Sequence, residues 1–153
     1  MRYVKDNKRE QRRILKCLDK LRKNPYVAVG VLQDKPHDEH FSMVDLAAVH
    51  EFGTKDGKIP QRSFIRSTCD AKQKKYISFL RKLQSQLFKG TITVKQALEQ
   101  LGERISKDMV QSINRGIKPE LKVQTIKRKK SSKPLIDSGV LKGNITHEVR
   151  GAS

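Results

Sequence analysis

The stretch VHEFGTKDGKIPQRSF at 49–64 contains a helix end, a polar turn and a new helix start. Gly53 can adopt a left-handed C-cap without a Cβ penalty, so the preceding helix is predicted to end at Phe52. The Ile59-Pro60 pair favours an extended backbone before the chain turns into the next helix at about Ser63. The rest of the chain is interpreted outward from this corner.

Polar residues separate two aromatic side chains of the corner, Phe52 and Phe64. We expect both rings to lie in one core and to anchor the two helices. The turn between them consists of Thr54, Lys55, Asp56, Gly57 and Lys58. It could cradle an anion, but a plain surface turn is the commoner outcome, and we expect it to lie at a subunit or partner interface.

Composition predicts one domain with a modest core. The chain has 153 residues, of which 35% are hydrophobic and 33% charged, and it lacks Trp. Its formal net charge is +18, and residues 31–60, with six acids and three basic residues, form the only acidic segment. A charge of this size attracts DNA or an acidic protein surface without choosing between them.

Hydrophobic periodicity predicts helices over 5–23 and 64–89. A third long helix, opened by a Thr93 and Gln96 capping box, is predicted to end at Gly116 and to pack antiparallel to the helix before it. A shorter helix opens with Ser42 and Asp45. Residues 26–32, apolar on both faces, predict a buried or central strand in which Gly30 marks a bulge or a close backbone approach.

The C-terminal part is predicted to hold an exposed, mobile basic arm at 117–134, then a short helix and a strand. The helix is expected to be capped by Asp137 or Ser138 and to bury Leu141. The strand at 145–149 could pair with the strand at 26–32. These elements together predict a single α+β domain with two long antiparallel helices, shorter helices in each half and a small mixed or antiparallel sheet.

Candidate chemistry is sparse, and no cofactor or metal is expected. The HDEH run at 37–40 lacks the spacing of a metal-binding helix and a completing ligand. His50 and Glu51 have no nucleophile or second base within reach of sequence argument, so we interpret them as a solvated pair at a helix end. Cys17 and Cys69 are expected to be free thiols. No apolar run approaches the ~20 residues that span a bilayer.

Basic residues supply two further candidate surfaces. The arm carries Lys127, Arg128, Lys129, Lys130 and Lys133, which could neutralise phosphates or form a solvated loop, and the sequence favours neither. The basic faces at 8–23 and 66–82 are more often solvated helix surface. No helix-turn-helix or interleaved aromatics support a specific nucleic-acid motif.

Three blocks, HEFGT at 50–54, IPQRSFIR at 59–66 and PLIDSGVLKGNITHEV at 134–149, resemble in order and spacing the tail-completion or virion-morphogenesis proteins of tailed bacteriophages. The matching positions are His50, Glu51, Phe52, Gly53, Ile59, Pro60, Arg62, Phe64, Leu135, Asp137, Gly139, Leu141 and Ile145. The chain departs from the family pattern at three places: Ser63 for a second Pro, Ser138 for Thr, and Gly143-Asn144 for a polar residue and Ser.

The resemblance implies a structural virion protein without enzymatic activity that joins the tail to the head. Its partners would be tail-terminator, tail-tube or neck and connector proteins, in a ring of like subunits for which a hexamer is favoured. Such a protein would be found in the virion tail or neck, and in the host cytoplasm during assembly, with non-specific contact to packaged DNA and no membrane contact. A subunit's acidic segment could then face its neighbour's basic helix. The alternative is a basic protein that acts directly on DNA.

Overall fold

The computed structural model describes residues 7–33, 42–120 and 139–152. The elements, in chain order, are α1 (Lys8–Arg22), β1 (Tyr26–Val31), α2 (Met43–Phe52), α3 (Arg66–Lys89), α4 (Val94–Arg115), α5 (Val140–Gly143) and β2 (Ile145–Arg150). This is the α+β fold that the sequence predicts, with two long helices and a small antiparallel sheet. The predicted loop at 33–41 lies outside the described ranges from residue 34 onward.

The helix boundaries follow local capping chemistry. Ser42 and Asp45 form a capping box that opens α2, and Thr93 and Gln96 form another that opens α4, so both predictions are confirmed. Gly90, with φ 72° and ψ 21°, ends α3 in the left-handed conformation. The short link from Gly90 to Thr93 sends α4 back along α3.

Two helix details differ from the prediction. α2 ends at Phe52 as predicted, and Gly53 has the positive φ of 75° that favours glycine, but its ψ of 177° lies outside the left-handed helical region. α3 begins at Arg66 instead of near Ser63. The N-cap of α5 is Gly139, without a side-chain cap hydrogen bond. Asp137 and Ser138, the predicted caps, lie outside the described residues.

The sheet consists of β1 and β2 paired antiparallel, with Val27 opposite Val149 and Val31 opposite Ile145. The predicted pairing of the two strands is therefore confirmed. The description of β1 as buried or central is wrong, because the sheet has two strands within the described ranges and Gly30 is the one buried residue of β1. Its valines pack against the two core clusters.

Close contact between the sheet and α4 depends on Gly102. A Cβ atom at this position would come within 2.6 Å of the His147 ring and 2.7 Å of a Val27 methyl carbon. Both strands therefore lie directly on the backbone of α4, which is the central element of the fold.

The core has two hydrophobic clusters. The larger contains Met43, Ala47, Phe64, Met109, Ile113, Leu141 and Ile145, and the smaller contains Leu83, Ala97 and Leu101. Leu141 is buried as predicted. All 15 residues of α1 are described and none is buried, so this helix covers the domain loosely. Both cysteines are free.

Candidate partner-binding surface

A single carboxylate joins α2 to α3 at the corner. The Glu51 side chain is 5% exposed, and its Oε2 accepts hydrogen bonds of 2.9 Å from the backbone N–H groups of Phe64 and Ile65. Its Oε1 accepts from the Arg66 N–H at 3.0 Å and the Ser63 hydroxyl at 2.6 Å. These N–H groups have no intrahelical acceptor at the start of α3, where a negative charge is also favoured.

This arrangement corrects the interpretation of His50 and Glu51 as a solvated pair. The sequence contains a signal for the burial of Glu51, because Met43 and Ala47 precede it at helical spacing. The structure buries all three residues. A carboxylate on the buried stripe of a helix must find donors inside the protein. Phe52 follows one residue later, about 100° around the helix, and lies outside that stripe.

Arg62 holds a second connection. Its side chain is 6% exposed, and its guanidinium donates to the backbone oxygens of Pro119, at 2.8 Å from Nε, and Glu120, at 3.2 Å from Nη2. Its own N–H donates to the His50 carbonyl at 2.8 Å. Burial lowers the pKa of Arg62 from its ordinary value. Arg62 therefore fastens the corner to the segment that follows α4.

The exposed turn at 54–58 is held by its own hydrogen bonds. The Thr54 N–H donates to the Ile59 carbonyl at 2.9 Å, and the Thr54 hydroxyl donates to the Asp56 carboxylate at 2.6 Å. Lys58 donates to the same carboxylate from its backbone, at 3.1 Å, and forms an ion pair with it. The Thr54 and Lys58 hydrogen bonds lower the pKa of Asp56. The turn projects as an ordered feature, and the expectation that it is a surface turn is confirmed.

Phe52 lies on the surface instead of in the core. Its side chain is 63% exposed, with the Arg66 guanidinium carbon 6.0 Å from the ring centroid. Beside it runs an open groove of about 370 Å³, whose lining comprises Val31, Val44, Ala47, Ala48, Glu51, Phe52, Ile65 and Arg66. Phe64, by contrast, is fully buried and anchors the corner as predicted. We call Phe52, the groove and the turn at 54–58 the corner surface.

The corner surface is close to neutral within the described residues. Of the six acids in segment 31–60, three lie in the part that the structure does not describe. Of the others, Asp45 caps α2, Glu51 is buried and Asp56 pairs with Lys58. The described acids are thus engaged locally, and they give no separate negative patch for a neighbour's basic helix.

The other predicted site residues fall into three groups. Ile59 is at the surface, Pro60 is half-buried and Gly53 makes a backbone contact that a Cβ would obstruct, at 2.8 Å from the Gln61 nitrogen. Ile145 is buried in the larger cluster. The remainder lie outside the described residues: Lys127, Arg128, Lys129, Lys130, Lys133, Leu135 and Asp137.

One Ser–His–Glu arrangement resembles a hydrolytic triad only in composition. The Ser106 hydroxyl lies 3.3 Å from His147 Nδ1, and His147 Nε2 lies 3.8 Å from Glu99. In a working triad the serine hydroxyl gives its proton to the histidine. Here the hydroxyl donates to the Gly102 carbonyl, and Ser106 is 8% exposed. The group joins β2 to α4.

Within the described ranges no cluster of three or more His, Cys, Asp or Glu side chains could hold a metal ion, and the HDEH run lies outside them. No described helix has the length and apolar character needed to cross a bilayer. Comparisons with protein-family models, curated proteins and solved structures found no match. The resemblance to tail-completion proteins therefore stays a prediction from the residues themselves.

Folding brings Arg104 of α4 to the basic face of α3 that the sequence indicates at 66–82. Lys74, Lys75 and Lys82 of α3 meet Arg104 of α4 around Phe79, in a shallow depression of about 300 Å³. The α3 residues belong to the basic face that the sequence suggested was solvated surface. The sequence alone could not assign Arg104 to this surface, because that assignment depends on how α4 packs against α3.

Proposed function

We propose that this chain is a structural protein of the head-to-tail joint of a tailed bacteriophage and that it acts through protein–protein contacts at the corner surface. The observation that carries the proposal is that the corner has a buried half and an exposed half with different roles. Glu51, Arg62 and Phe64 are buried and hold the helices together, while Phe52 and the turn at 54–58 project outward.

The buried half of the corner accounts for the residue types of the motif blocks. Glu51 supplies an acceptor for the start of α3, Arg62 fastens the segment after α4, and Gly53 allows a tight backbone approach. Polar groups that are fully used in internal hydrogen bonds are not available for chemistry. This supports a motif with an architectural role and a protein without catalytic activity.

The exposed half has the character of a protein contact. An exposed aromatic ring next to an apolar groove, with an arginine at its edge, is the composition that protein interfaces favour. Val44 adds a further exposed apolar side chain, 39% accessible. Under this proposal the occupants are a neighbouring copy in a ring and the adjoining tail or neck proteins.

The test is Phe52→Ala, assayed by complementation of a phage that lacks this chain. We expect stability to change by less than about 1 kcal/mol, since the ring is exposed, but heads and tails to remain unjoined in electron micrographs. Ile77→Ala removes a comparably exposed apolar side chain, 43% accessible, from a distant part of α3 and should leave assembly intact.

A core control separates assembly from folding. Phe64→Ala should lower the free energy of unfolding by about 3–5 kcal/mol, because its ring is fully buried. Normal infectivity of the Phe52→Ala phage, or fully joined virions without any copy of the chain, would overturn the proposal.

A further inference from the structure

A second surface of the molecule has the opposite chemistry to the corner surface. It consists of Lys74, Lys75 and Lys82 on α3 and Arg104 on α4, surrounding Ser78 and Phe79. We call these six residues the basic patch. All four of its charged side chains are exposed, and among the described residues no acidic side chain lines the depression.

The lysines of the basic patch are free to meet an external anion. Lys74, Lys75 and Lys82 form no ion pair with any residue in the described ranges. Lys72, near the patch on α3, is in contrast paired with Asp108 at 2.6 Å. Arg104 lies 3.8 Å from the second oxygen of the same carboxylate.

The lysines of the basic patch are spread along α3. Lys75 and Lys82 are seven residues apart and lie on the same face of the helix, while Lys74 lies about 100° around the axis from Lys75. The three residues extend over about 12 Å of the axis, and cations spread along a helix match a linear polyanion better than a compact charged ligand.

The aromatic side chain of the patch does not offer a stacking platform. Phe79 is half-buried, packs against the smaller core cluster and has the Arg104 guanidinium carbon 5.8 Å from its ring centroid. A protein partner would need an exposed apolar anchor, and single-stranded nucleic acid would need an open ring face. The basic patch is therefore suited to contacts with phosphate groups and not with bases.

We propose that the basic patch binds the phosphate backbone of duplex DNA without sequence preference. This goes beyond the joining role, and it concerns a surface that shares no residue with the corner surface. The net charge of +18 would draw DNA toward the protein from a distance, and the patch would then supply the short-range contacts.

The experiment measures binding of a mixed-sequence duplex to the purified full chain by fluorescence anisotropy over a range of salt concentrations. Four phosphate contacts predict a slope of about −3.6 for log K against log salt, at about −0.9 per contact. The triple variant K74Q/K75Q/K82Q should reduce the magnitude of this slope by about 2.7 and weaken binding at least about tenfold at ~50 mM salt.

The matched control removes the same charge elsewhere. Lys16, Lys20 and Lys95 are exposed, form no ion pair with described residues and lie outside both surfaces, so K16Q/K20Q/K95Q changes the net charge equally while leaving the patch intact. It should keep the slope of the wild type within about one unit. Circular dichroism should show the same helix content and melting temperature in all three proteins.

Three results would overturn the proposal. The wild type could show no duplex binding at ~50 mM salt, the patch variant could bind as the wild type does, or the control could lose as much affinity as the patch variant. The last result would mean that net charge alone attracts DNA. Because the assay uses no virion, a negative result would leave the corner proposal standing. Normal infectivity of the Phe52→Ala phage would likewise leave the DNA-binding proposal standing.

Discussion

The Glu51 carboxylate makes the sharpest prediction about stability. In Glu51→Gln the side chain keeps its shape, but one of its two acceptor oxygens becomes an NH₂ group that faces N–H or hydroxyl donors. In the wild type each carboxylate oxygen accepts two hydrogen bonds, so two donors at the start of α3 would lose their acceptor in the variant. A hydrogen bond to a charged group contributes about 1.5–3 kcal/mol, which gives about 3–6 kcal/mol for the pair.

Loss of the negative charge at the N-terminus of α3 adds a smaller unfavourable contribution of about 0.3–2 kcal/mol. The total is a large share of the about 5–15 kcal/mol that stabilises a typical domain. Urea unfolding followed by far-UV circular dichroism would measure it as a lower midpoint with an unchanged dependence on urea. Amide exchange at Phe64, Ile65 and Arg66 should accelerate more than exchange in the middle of α4.

Glu103→Gln is the matched control, because it makes the same chemical change on an exposed side chain. Glu103 pairs with Lys107 one helical turn away, with 56% of its own side chain accessible. Its replacement should leave the urea midpoint unchanged, because an ion pair between exposed side chains contributes little to stability. If Glu51→Gln stayed within about 1 kcal/mol of the wild type, the carboxylate would not be holding the corner in the way that we infer.

Two further predictions follow from packing. Gly102→Ala should lower the free energy of unfolding in urea by about 1–3 kcal/mol, despite the helix preference of Ala, because the new methyl group overlaps the His147 ring. Gly143→Ala, where the space is open, should leave stability unchanged. Equal effects of the two substitutions would contradict the packing argument. Burial raises the pKa of the Cys69 thiol, so in a Cys17→Ser variant iodoacetamide should modify native protein more slowly than urea-unfolded protein at about pH 8, and the gap should narrow as the pH rises through the raised pKa. Equal rates in the two states would refute the assigned burial.

The sequence was sufficient wherever the deciding interaction is local. The capping boxes at Ser42 and Thr93 join residues three positions apart, so the donor, the acceptor and the helix that they open can all be recognised together. The end of α3 depends on a single residue, Gly90, that can adopt positive φ. The pairing of β1 with β2 joins distant segments, and it could be predicted because the sequence indicates two strands that can pair with each other.

Sequence reasoning failed where the partner is distant. The donors that satisfy Glu51 come from residues 63–66, and the acceptors of Arg62 come from Pro119 and Glu120. Nothing local shows that these groups meet, and in isolation each charged residue was interpreted as solvated or as part of a motif. Phe52 was misplaced for a related reason, because an aromatic residue at a helix end can face either side until the buried stripe of the helix is known.

The larger core cluster explains why motif blocks so far apart in the chain would occur together. Phe64 comes from the corner, Leu141 and Ile145 come from the C-terminal block, and all three pack in the same buried cluster with Met109 and Ile113 of α4. Arg62 adds a polar connection from the corner to the end of the α4 segment. A change in either block would therefore disturb the buried cluster in which the other block packs. Under the proposed joining role, the exposed side of the corner, with Phe52 and the turn at 54–58, can vary with its partner while the buried cluster stays fixed.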